Sequence, residues 1–96
     1  MEKYVIKRNG EYKPFESFKI KDAIEKSFKS VNQAFDEFIF ENTINQLDSK
    51  ETWAVEEIQD LIEKNLFEKQ YFEVMRSFML YRHTRKMQRE HVEGLN

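Results

Sequence analysis

Apolar side chains recur at helical spacing in four successive stretches after residue 17, and ahead of them stands one short β-branched run closed by an Asn-Gly pair. That succession restricts the chain to a mainly helical α+β fold, a four-helix bundle capped by a small β-hairpin or three-stranded sheet. The hairpin reads as Tyr4 to Arg8 returning through Tyr12 to Phe15, with Asn9-Gly10 as the dipeptide that a type I′ turn favours. Pro14 has no N–H to give a ladder, so the second strand ends there or lies at an edge.

Ser17 offers an N-cap to a first helix from about Phe18 to Ser30, whose Ile20, Ala23, Ile24, Ser27, Phe28 and Val31 share a face. A second helix is expected over about Asn32 to Leu47, with Phe35, Phe38, Ile39, Phe40, Ile44 and Leu47 on a broad apolar side. Glu51 to Ala54 is too short for a helix and suits a third small strand. Val55, Ile58, Leu61, Ile62 and Leu66 align on a third helix, where Glu56 and Glu57 match the positive N-terminal end. A last helix is expected from about Gln70, through Val74, Met75, Phe78, Met79 and Tyr81, to a stop near Gly94. Residues 1–96 read as a single domain without repeat, linker or low-complexity segment.

Ninety-six residues bury only roughly 60 to 65 per cent of their unfolded surface, which leaves little room for a large catalytic cleft. Nine Phe, four Tyr and one Trp supply most of the bulk for a core. The lack of cysteine removes disulfides, thiolate metal sites and cysteine nucleophiles together, and fits a cytoplasmic setting. No run approaches the roughly 18 apolar residues of a membrane helix. His83 and His91 stand eight apart with no further histidine, so no metal site is expected, and no catalytic constellation is visible.

Charge is segregated along the chain. Residues 1–30 hold eight basic and five acidic side chains, residues 31–75 three and eleven, and residues 76–96 five and two. Basic ends that meet in the fold would form one positive surface for a small polyanion; ends that stay apart would be ordinary solvated faces.

Three places offer binding chemistry. Lys7 and Arg8 precede a tight turn, on opposite faces of their strand. Lys19 adds a cation to the first turn of the first helix, whose N–H groups already favour an anion. Tyr81 and Arg85 share a face of the last helix, as do Arg82, Arg85 and Arg89, so a ring and a guanidinium can address one ligand. Taken singly, each place reads first as an exposed basic surface or, for Tyr81, as core packing.

Taken in order, Val5-Ile6-Lys7-Arg8-Asn9-Gly10, Pro14-Phe15, Lys19-Ile20, Ala23-Ile24, Val55 to Leu61 and Tyr81-Arg82-His83-Thr84-Arg85 resemble the ATP-cone family over residues 4–86. The resemblance implies a regulatory, non-catalytic domain that binds ATP as activator and dATP as inhibitor of a ribonucleotide reductase, with Mg²⁺ accompanying the nucleotide and no prosthetic group. It implies that Val5, Ile20 and Ile58 wall an adenine pocket and that Gln59 reads the adenine edge. By the same resemblance Lys7, Arg8, Lys19 and Arg85 hold phosphates, Tyr81 packs beside the nucleotide, and Lys13 assists from the second strand. Asn9 stands where the family commonly has aspartate, and Glu16 places an acid near the phosphates in a role the resemblance does not assign.

The tail from Tyr81 to Asn96 is most similar to the join between cone and catalytic barrel in anaerobic, glycyl-radical reductases, which implies an N-terminal piece of a larger enzyme. Its implied partners are that catalytic domain and further copies on dATP binding, with neither membrane nor nucleic acid. The alternatives are the cone of a nucleotide-sensing transcriptional repressor, whose preceding cysteine zinc ribbon is missing here, and a helical interaction module.

Overall fold

The computed structural model describes residues 3–7 and 9–94, with side chains up to Gln88. In chain order the elements are β1 (Tyr4–Ile6), β2 (Tyr12–Pro14), α1 (Ser17–Ser30), α2 (Glu37–Leu47), β3 (Thr52–Ala54), α3 (Val55–Glu68) and α4 (Phe72–Gly94). The mainly helical α+β architecture and the third strand are as expected. The sheet has the order β2-β1-β3, with β1 antiparallel to β2 and parallel to β3.

The hairpin loop differs from the expected two-residue type I′ turn. Val5 stands opposite Lys13 and Ile6 opposite Tyr12, and the Lys7 N–H donates to the Glu11 carbonyl at 2.8 Å, which leaves a three-residue loop. Gly10 takes the left-handed backbone that closes such loops, with φ 88°. The Asn9 side chain accepts from the Glu11 N–H at 3.0 Å, a local bond that competes with the tighter turn.

Two helix starts also differ from the periodicity. Asn32 and Gln70, expected at the beginnings of the second and last helices, instead close the helices before them. Both have positive φ, 56° and 64°. The Asn32 and Gln33 N–H groups return to Lys29 and Phe28, and those of Gln70 and Tyr71 to Phe67 and Leu66. Each pair of bonds forms a Schellman motif, satisfying carbonyls that a continued helix would have used. α2 therefore starts only after Asp36, whose Oδ1 accepts from the Phe38 N–H at 3.0 Å as an N-cap. Ser17 is the first residue of α1 rather than its cap; Glu16 holds the N-cap position without a side-chain cap bond.

The core joins Ile24 and Phe28 of α1, Ile39 and Leu47 of α2, Trp53 of β3, Ile58, Ile62 and Leu66 of α3, and Val74 and Phe78 of α4. Burying each of these stabilises the fold by about 1.5 to 3 kcal/mol before entropy opposes it. Phe38, expected on the apolar side of α2, is 49% exposed, because the late start of α2 leaves it in the first turn. The Trp53 indole N–H donates to the Leu47 carbonyl at 2.9 Å, fastening β3 to the end of α2.

Asn65 is buried between α2 and α3. Its Nδ2 donates to Thr43 Oγ1 at 2.8 Å and Gln46 Oε1 at 2.9 Å, while its Oδ1 accepts from Asn42 Nδ2 at 3.0 Å. Such a fully paired amide avoids the desolvation cost that an unpaired one would carry. Across the bundle, the Tyr71 hydroxyl donates to Asp36 Oδ2 at 2.8 Å, so one carboxylate caps α2 and anchors the loop before α4.

Candidate functional site

Strand alternation turns Val5 and Lys7 to one face of the sheet, and the three-residue loop brings Lys13 opposite Val5 onto that same face. The face looks onto the start of α1, the first half of α3 and the middle of α4. Between them lies a cavity of about 340 Å³. Val5, Lys7, Lys13, Lys19, Ile20, Ile58, Gln59, Tyr81 and Arg85 all line it. Arg8, the remaining candidate, lies outside the described residues.

The walls differ in character. Ile20 and Ala23 of α1, Val55, Ile58 and Ile62 of α3, and Phe78 of α4 are apolar, each pair within a helix set about one turn apart. Among the described residues, Lys7, Lys13, Lys19 and Arg85 supply four cations to the lining, against Glu16 as its sole acid. The basic front of the chain thus meets its basic rear here, while the acidic middle contributes only apolar and amide groups. Ala23, Val55, Ile62 and Phe78 were not among the sequence candidates, although Ile62 and Phe78 stand one turn from Ile58 and Tyr81.

α1 enters this site without an acidic residue in its first turn and without a side-chain cap. Its N-terminal dipole end is therefore left to interact with whatever occupies the cavity. The Glu16 carboxylate, instead of capping, pairs with Lys19 at 3.5 Å. α3 is capped by Glu57, whose Oε1 accepts from the Ala54 N–H at 2.9 Å and whose Oε2 accepts from Lys50 at 2.8 Å. The Lys50 bond, followed by the Ala54 bond, holds the Glu57 carboxyl below its usual pKa.

Gln59 has a distinctive polar state. Its Oε1 is buried and has no hydrogen-bond partner among the described residues. A buried unpaired acceptor costs about 1 to 3 kcal/mol, which a ligand bringing a donor would recover.

Tyr81 stands 39% exposed, its ring 6.3 Å from that of Phe78, so it edges the cavity rather than filling the core. Arg82 and Arg85 do not act together, contrary to their shared face in the helical reading. Arg82 turns to α3, where Glu56, Asp60 and Glu63 surround it, with Asp60 Oδ1 at 2.8 Å. Burial opposes the Arg82 charge, but bonds from Glu56 and Asp60 and the charges of Glu63 and Asp60 outweigh it and raise its pKa above the ordinary guanidinium value. Arg85 lines the cavity and forms no salt bridge among the described residues. The side chain of Arg89 lies outside the described residues.

No group of three or more His, Cys, Asp or Glu able to hold a metal ion occurs among the described residues. None of the described helices is long and apolar enough to cross a membrane.

A family model described as ATP cone domain matches residues 3–87. The chain is 38% identical, over 97% of its length, to a vitamin B12-dependent ribonucleoside-diphosphate reductase of Thermoplasma acidophilum, of which it covers 13%. It is 31% identical, over its whole length, to an anaerobic ribonucleoside-triphosphate reductase of Salmonella typhimurium, covering 14% of that protein. An anaerobic ribonucleoside-triphosphate reductase of Haemophilus influenzae is 35% identical over 90% of the chain, with 13% of its own length covered.

Proposed function

The chain belongs to the ATP cone domain family, and on that premise we propose that it is the regulatory nucleotide-binding domain of a ribonucleotide reductase, with ATP and dATP as opposing effectors. The observation that carries this reading is the buried Gln59 Oε1, without a hydrogen-bond partner among the described residues, in an apolar cavity that four of those residues rim with cations. Adenine offers a 6-amino donor to that oxygen; guanine presents a carbonyl at the same place and repels it. Val5, Ile20 and Ile58 then sandwich the base, and Tyr81 packs against the nucleotide at the open side.

Lys7, Lys13, Lys19 and Arg85 hold the phosphates, with Arg8 as a further phosphate-binding cation. Their number suits a triphosphate, whose charge also draws in the uncapped end of α1. With Glu16 the only acid of the lining among the described residues, Mg²⁺ arrives on the phosphates rather than in a protein cage.

ATP and dATP differ by one hydroxyl, so their opposing effects require two states of the domain with different affinities for each. About 1 to 3 kcal/mol is available from satisfying or burying groups around the 2′ position. The hairpin and α4 both border the cavity, and their rearrangement passes the signal to the catalytic part and to neighbouring copies. The parent's activity is assigned to the larger reductase, of which this chain forms the front.

Isothermal titration with ATP, dATP and GTP, each with Mg²⁺ at physiological salt, tests the reading. Saturable heat from the two adenine nucleotides and none from GTP is expected. Equal binding of GTP would remove the role of Gln59, and silence from all three would remove the nucleotide reading.

A further inference from the structure

Glu16 is the sole acid among the described lining residues, and the nucleotide reading gives it no contact of its own. An anion beside four cations weakens their hold on a triphosphate, so its presence calls for a donor that the carboxylate can meet. The backbone of α1 does not supply one: Glu16 stands at the N-cap position, yet its side chain caps no N–H of the helix. Lys19, at 3.5 Å, holds it loosely, because the Lys19 and Glu16 side chains are 65% and 38% exposed and an ion pair open to water contributes little.

Lys19 and Ile20 follow Glu16 by three and four residues, so the three side chains share one side of the helix start, with Cβ atoms about 5 to 6 Å apart. All three line the cavity. Ile20 belongs to the base wall and Lys19 to the phosphate cations. The sugar joins base to phosphates, and it therefore passes within a helical turn of Glu16. Lysine and arginine donate and do not accept, and Gln59 Oε1 is engaged by the 6-amino group of adenine. Of the described lining side chains, Glu16 and the Tyr81 hydroxyl are left to accept from a ribose hydroxyl. The carboxylate is the stronger acceptor, since its bond is charge-assisted.

We propose that Glu16 reads the sugar: its carboxylate turns from Lys19, which the phosphates engage, and accepts from the ribose 2′-hydroxyl, raising the affinity for ATP relative to dATP. This inference rests on the nucleotide reading and names the group that tells its two effectors apart. A site built to bond a hydroxyl discriminates against the analogue that lacks it, because its own polar group is then left without a partner.

The test is calorimetric titration of ATP, dATP and 3′-deoxy-ATP, each with Mg²⁺, into the wild-type chain, Glu16→Ala, Glu16→Gln and Tyr81→Phe. The ratio of ATP to dATP affinity is the readout. Loss of the negative charge acts on both triphosphates alike and cancels in that ratio. Glu16→Ala is expected to lower it about tenfold, the worth of one charge-assisted hydrogen bond, and Glu16→Gln about threefold, as an amide oxygen still accepts. The ratio of ATP to 3′-deoxy-ATP is expected to stay within about twofold of the wild-type value, because both carry the 2′-hydroxyl.

An unchanged ratio of ATP to dATP in Glu16→Ala overturns the proposal and leaves the nucleotide reading standing. A fall confined to Tyr81→Phe overturns it in favour of the Tyr81 hydroxyl, and a fall against 3′-deoxy-ATP alone overturns it in favour of a contact with the 3′-hydroxyl. A wild-type chain that binds none of the three overturns the nucleotide reading and the proposal with it. Melting curves establish that each variant is folded; if Glu16→Ala is not, the threefold change in Glu16→Gln decides the matter in the same way.

Discussion

Lys13 stands opposite Val5 across the antiparallel pair β1–β2, so both side chains fall on the face of the sheet that borders the cavity. A two-residue turn at Asn9-Gly10 would shift the register by one residue and carry Lys13 to the far face. The extra loop residue therefore decides whether the second strand contributes a cation to the site.

Lys13→Ala and Arg85→Ala are each expected to weaken ATP and dATP about tenfold, with little change for adenosine, since both act on the phosphates. Calorimetric titration of the three ligands reads this directly. Unchanged ATP affinity in Arg85→Ala would defeat the phosphate assignment.

Gln59→Leu should separate binding from stability. The apo protein is expected to gain about 1 kcal/mol in urea unfolding, because a buried unpaired oxygen disappears, while adenine selectivity over guanine is lost. A variant that is less stable yet equally selective would show that the oxygen is satisfied in some other way.

Gln70→Gly is expected to stabilise the fold by about 0.5 to 1 kcal/mol. Gln70 holds a left-handed backbone, φ 64°, that glycine adopts without steric cost. Chemical denaturation provides the measurement, and a loss of stability would mean that the turn between α3 and α4 depends on the glutamine side chain.

Asn65→Ala should cost about 2 to 3 kcal/mol, through a small cavity and the stranded partners Thr43, Gln46 and Asn42. Its thermal midpoint should fall without a change in nucleotide selectivity, as the network lies between α2 and α3 and outside the cavity lining.

Glu57→Gln tests the pH dependence. The Glu57 carboxyl is held below its reference value of 4.5, first by Lys50 and then by the Ala54 N–H. A depressed folded-state pKa means stability that is present above the unfolded value and lost as pH falls through the folded one. The gap between wild type and Glu57→Gln is therefore expected to be widest above about pH 5 and to close on acidification. Parallel curves across that range would exclude the interaction with Lys50 and Ala54 as its source.

Local sequence determined the element types, because period-2 and period-3.6 patterns follow from backbone geometry alone. The helices containing Ile24 and Phe28, Ile58 and Ile62, and Val74 and Phe78 were legible on that basis, as was the short strand around Trp53. The candidate cavity residues were legible through a family resemblance; charge and spacing by themselves left Lys7, Lys19 and Arg85 compatible with an exposed surface. Other features depended on partners distant in the chain. Asn32 and Gln70 look like helix starts in the sequence, but closing carbonyls of the preceding helix drew them into left-handed turns. Arg82 and Arg85 share a helical stripe, and only the acids of α3 separate their roles. The orphaned oxygen of Gln59 has no sequence signature, because burial and the absence of a neighbouring donor are properties of packing. Sequence thus settles what each segment can form and which charges it carries, whereas tertiary structure decides which of those charges neutralise one another and which remain for a ligand, since pairing depends on distance and desolvation across elements.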